Sequence, residues 1–69
     1  PDLYLTDLKF EEGKKVGVKG SAYAKPPIFA MVDQMRSSKL FKNVETKYIT
    51  GRVEEGTEIS DFEIVASLR

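Results

Sequence analysis

The pattern of apolar and polar positions divides the chain into two hairpins joined by one helix. Residues 3–10 alternate as a strand does, with Tyr4, Thr6, Leu8 and Phe10 on one side and Leu3, Leu5, Asp7 and Lys9 on the other. Both sides carry apolar residues, so alternation alone does not choose the core face. The turn chooses it. A three-residue loop of Glu11, Glu12 and left-handed Gly13 sets Phe10 opposite Lys14 and Leu8 opposite Val16. Tyr4, Thr6 and Leu8 then share a face with Val16, Val18, Gly20 and Ala22, whereas a two-residue Glu12-Gly13 turn brings in Leu3 and Leu5 instead.

The second strand covers residues 15–23, and its apolar side shrinks from valine to glycine and alanine, which leaves room for a helix to approach at Gly20. Lys25, Pro26 and Pro27 end that strand and suit the first turn of a helix. Ile28, Met31, Val32 and Met35 then fall on one helical face, with Phe29 beside it. Ser37 and Ser38 end the helix, and Leu40 and Phe41 are expected to plug the end of the core. In the third strand Val44, Thr46 and Tyr48 alternate with Glu45, Lys47 and Ile49. A second three-residue loop, Glu54, Glu55 and Gly56, pairs Tyr48 with Phe62, Thr46 with Ile64 and Val44 with Ala66.

Strand, strand, helix, strand, strand implies one α+β domain over residues 1–69, a ββαββ unit with a four-stranded antiparallel sheet and one helix on one face. A right-handed crossover and the spatial order 3-4-2-1 make it a truncated, circularly permuted relative of the ferredoxin-like fold. One short helix covers little more than half of such a face, yet Tyr4, Leu8, Phe10 and the row over residues 62–68 all require cover. A bare apolar patch of this kind is a typical association surface. The expected interface residues are Tyr4, Leu8, Phe10, Phe29 and Phe62, through that face or an edge strand.

Composition narrows the chemistry. Eleven cationic residues balance eleven acidic ones, so no net field gathers nucleic acid. The chain has no histidine and no cysteine, which removes the usual bases, thiol nucleophiles, disulfides and transition-metal ligands. The glutamate pairs could suggest acid–base work or calcium, but beside glycine at hairpin tips they read as solvated turns. Gly17-Val18-Lys19-Gly20 lacks the phosphate-loop pattern and lies in a strand. Tyr4, Tyr23 and Tyr48 among scattered lysines do not form the aromatic-basic motif of RNA-binding sheets. No catalytic, metal-binding or cofactor-binding residue is nominated, and no cofactor or small-molecule substrate is expected.

The packing positions together resemble a known family. Tyr4-Leu5-Thr6 ahead of a charged hairpin, the Val16, Val18, Gly20, Ala22 row, a helix end spaced Met35, Ser38, Phe41, Val44, and the closing Phe62-Glu63-Ile64 are similar to the C-terminal periplasmic domain of the PilN family. The GspL periplasmic domain of type II secretion is related to it. The resemblance implies a non-enzymatic structural domain of a type IV pilus assembly platform, on the periplasmic side of the bacterial inner membrane. It further implies a homodimer, or a heterodimer with a PilO-like protein. Beginning at Pro1, the chain reads as the C-terminal fragment of a longer membrane-anchored protein. Two alternatives share parts of the pattern: a BON-like envelope or phospholipid-binding domain, and a small ligand-sensing ferredoxin-like domain.

Overall fold

A computed structural model describes residues 3–11 and 13–69; Pro1, Asp2 and Glu12, the middle residue of the expected first turn, lie outside them. The chain forms β1 (Leu3–Glu11), β2 (Lys15–Ala22), α1 (Pro26–Ser37), β3 (Phe41–Glu54) and β4 (Thr57–Leu68). All four strands make one antiparallel sheet in the order β1-β2-β4-β3, the expected order read from its other edge. β4 lies between β2 and β3, which therefore run parallel to each other and are bridged by α1.

The helix forms where proline permits it. Pro26 and Pro27 occupy its first turn, where missing N–H groups cost nothing, and the Ser38 N–H closes the other end on the Met35 carbonyl at 3.2 Å. Ile28 and Val32 are buried, and Met31 and Met35 pack beside them, as the spacing predicts. They lie against Ala22 of β2, Val44 of β3 and Phe62, Ile64 and Ala66 of β4. The row on β4 that was expected to need cover is thus covered as far as Ala66.

Register departs from expectation in an instructive way. Phe10 pairs with Val16 and Leu8 with Val18, partners two residues further along β2 than the turn rule gives, so the shared face is kept. Between Leu5 and Asp7 the ladder slips past Thr6, and beyond the slip Leu5 pairs with Gly20 and Leu3 with Ala22. A bulge of this kind reverses the side-chain alternation. It places Leu3, Leu5, Leu8 and Phe10 on the same face and moves Tyr4 to the other.

β3 uses the same device twice. Slips between Lys42 and Glu45, where Asn43 has φ 55°, and between Thr46 and Tyr48 bring Phe41, Val44 and Ile49 to the helix-bearing face. Thr46 does pair with Ile64 as expected, and Val44 and Ala66 share the core. Tyr48, however, pairs with Glu63 on the helix-free face, and Ile49 takes the place opposite Phe62. Apolar residues three apart cannot share a face of a regular strand, so each such pair requires an extra residue between them.

The second hairpin is tighter than expected. Glu54 pairs with Thr57, leaving Glu55 (φ 51°) and Gly56 (φ 79°) as a two-residue turn with both residues left-handed. That is the geometry that favours Asn-Gly, and a glutamate there costs roughly 1–2 kcal/mol in backbone strain. Glu55→Asn is therefore expected to stabilise the domain by up to about 1 kcal/mol in urea unfolding; no gain, or a loss, would contradict the turn assignment.

Gly20 is close-packed by its neighbours in the sheet. A Cβ at this position would meet the Phe62 ring on β4 and the Tyr4 backbone on β1. The expected approach of the helix at Gly20 is replaced by an aromatic ring from the paired strand.

Candidate interaction surface

The sheet order makes β1 and β3 its edges, and α1 packs chiefly toward β3. The β1 half of the same face is left bare. Leu5, Leu8 and Phe10 are 52%, 52% and 66% exposed, although their ladder partners Val16, Val18 and Gly20 are buried. Three large apolar side chains in line on an edge strand form a strip flanking a row of unpaired backbone groups. Leu5 belongs to this strip because of the Thr6 bulge, and its spacing of three from Leu8 is the sequence signal for it.

The other expected interface residues are dispersed. Tyr4 is exposed on the helix-free face, where its ring lies 6.3 Å from that of Tyr23 in a tilted arrangement. Phe29 is half-exposed on α1, beside the buried stripe. Phe62 is fully buried and is a core residue; its side chain offers no surface to a partner. Leu40, expected to plug the core, stays exposed, and Phe41 alone packs there.

The helix-free face is polar. A shallow concavity of about 700 Å³ crosses it over Gly17 and Val65, bordered by Lys9, Lys19, Lys47, Asp7, Glu45 and Glu63. Cations and carboxylates alternate around it, so neither sign of ligand is selected. Among the described residues no three His, Asp or Glu side chains converge as a metal site.

One polar cluster ties the hairpins together. Ser21 Oγ on β2 donates to Asp61 Oδ1 at 2.6 Å, and Arg52 Nε on β3 donates to Asp61 Oδ2 at 2.7 Å, while the Arg52 guanidinium also holds Glu54. The Ser21 hydrogen bond, then that of Arg52, holds the Asp61 carboxyl below its ordinary range, and the two carboxylates raise the Arg52 guanidinium further. The folded state therefore takes up this proton at lower pH than the unfolded chain. Asp61 stabilises the fold fully above the ordinary carboxylate range, and that contribution fades as pH falls through its folded value. The stability gap between wild type and Asp61→Asn should thus be widest near neutrality and close in acid; a gap independent of pH would show that the cluster does not hold the charged form.

No helix among the described residues is long and apolar enough to cross a membrane. No curated protein and no solved structure matches the chain. The family model described as Fimbrial assembly protein (PilN) matches residues 1–68.

Proposed function

Because the chain belongs to the PilN family of fimbrial assembly proteins, we propose that it is a non-enzymatic joining domain in the inner-membrane platform of a type IV pilus. Its work is association. The observation that carries this reading is the Leu5, Leu8 and Phe10 strip on edge strand β1, left uncovered by a helix that packs toward the opposite edge. The occupant we assign is a second copy of this domain. Two β1 strands meeting antiparallel across a two-fold axis continue the sheet, pair the free edge groups and bring the two apolar strips into one layer. The family resemblance also implies a PilO-like partner, and on this reading it takes the same edge.

The family match supports a role in fimbrial assembly; the wider setting we propose with it is a C-terminal, periplasmic domain of a longer, membrane-anchored protein. Tyr4 stands on the same edge strand, facing the other side of the sheet, and lies at the rim of such a contact. Phe29 extends it only if the partner reaches the helix.

Substituting exposed residues separates association from folding. Leu8→Asp with Phe10→Asp is expected to abolish self-association in sedimentation velocity while changing folding stability by only about 0.5 kcal/mol per site. Phe29→Asp should weaken association less and likewise leave the circular dichroism spectrum intact. Wild type that stays monomeric at high concentration, or doubly substituted protein that associates as well as wild type, would contradict the reading.

A further inference from the structure

The net charge of zero conceals a polar molecule. Its longest dimension is 41 Å, about the length of a strand the size of β3 at ~3.3 Å per residue, so the long axis runs along the strands. At one end lies the β3–β4 hairpin, which continues past the last β2 pair, Ala22 with Ser60. Its tip carries Glu54, Glu55 and Glu58, all exposed, and Arg52 is already held there by Glu54 and Asp61. Among the described residues Lys25 is the other cation at that end. At the opposite end the chain gathers Lys14, Lys15, Lys39, Lys42 and Arg69, all exposed, against Glu11 among the described residues. Backbone bonds hold these segments together: Leu68 N–H to the Lys14 carbonyl at 2.6 Å, and Arg69 N–H to the Leu40 carbonyl at 3.0 Å.

Each end also presents a bare aliphatic side chain among its charges. Val53 is 72% exposed at the acidic tip, and Leu40 is 67% exposed at the basic end. At physiological salt the screening length is about 8 Å, so ends separated by most of the long axis do not neutralise each other within one molecule. Each end is left free to pair with an opposite charge on another molecule. We propose that copies of this chain make a head-to-tail contact, the acidic β3–β4 tip of one seated on the basic end of the next with Val53 against Leu40. A heterologous contact of this kind repeats along a line and does not close on itself as a two-fold dimer does. It uses neither the β1 strip nor Phe29, and it does not rest on the β1 contact proposed above.

Charge reversal tests it, with Leu8→Asp and Phe10→Asp present throughout to remove the other contact. Light scattering at roughly 20 mM and roughly 300 mM salt should show association that is strong at the lower value and lost at the higher. Glu55→Lys with Glu58→Lys makes both ends basic, and Lys39→Glu with Lys42→Glu weakens or reverses the other end. Each variant alone should associate about tenfold or more weakly than its parent, and an equimolar mixture of the two should recover association. Lys14→Glu with Lys39→Glu serves as a second basic-end variant should the first lose its circular dichroism spectrum. Association insensitive to salt, or a mixture that does not recover, overturns the proposal. So does a parent that stays monomeric at low salt yet binds an anionic matrix through Lys39 and Lys42, which would assign the basic end to a different acidic partner.

Discussion

Phe62→Ala is expected to lose about 3–5 kcal/mol of folding stability, the cost of deleting a large, well-packed aromatic side chain. Phe62 is the largest fully buried side chain, in a core that also holds Ile28, Val32, Val44 and Ile64. A domain of this size has on the order of 3–10 kcal/mol in total, so this one substitution removes a large share of it. On its Gly20 side the ring lies over a residue with no side chain to move into the void. Urea unfolding followed by circular dichroism measures the loss; a change below about 1 kcal/mol would mean that the core collapses around the missing ring.

Gly20→Val approaches the same contact from the other side. A Cβ at Gly20 would stand 2.5 Å from the Tyr4 carbonyl oxygen and 2.7 Å from Phe62 Cζ. Neither neighbour yields readily. Tyr4 is fixed in the ladder one residue from the Leu5 pair, and Phe62 is enclosed by the helix and sheet. Overpacking of this kind costs about 1–3 kcal/mol, and valine adds two further methyl groups to the clash. In a cycle with Phe62→Leu the two losses should fall short of additive, because the smaller side chain vacates part of the space the valine needs. Strict additivity would show that the Tyr4 backbone, and not the ring, sets the penalty.

Element order and the helical stripe were legible because each depends on periodicity sustained over many residues, whereas the strand order came from the crossover rule and fold analogy. Ile28, Met31, Val32 and Met35 admit only one helical face, and prolines 26 and 27 admit only one start. The parts that were not legible all trace to single inserted residues. Strict alternation assigns Tyr4 and Tyr48 to the covered face, but bulges at Thr6 and Lys47 reverse the alternation and send both rings to the helix-free side. The signal was present as apolar residues three apart: Leu5 to Leu8, and Phe41 to Val44.

The two Glu-Glu-Gly tripeptides show a second limit. They are identical in sequence, yet the first ladder closes at Glu11 with Lys15, whereas the second closes at Glu54 with Thr57 and leaves a two-residue turn. The turn follows the register that the strands require, and on β3 and β4 that register aligns Ile49 with Phe62. Among the candidate interface residues, the exposure of Leu8 and Phe10 could be read from the shortage of helical cover. Phe62 could not be excluded that way, because its burial depends on which half of the sheet the single helix lies over.

The claim that β1 is the joining edge is tested most directly by hydrogen exchange at rising protein concentration. If two copies meet along β1, the outward-pointing amides of residues 3–11 exchange slowly once the domain associates, while those of the opposite edge, β3, stay unchanged. Unchanged exchange along β1 at concentrations where the domain sediments as a dimer would place the contact elsewhere and contradict the proposed function.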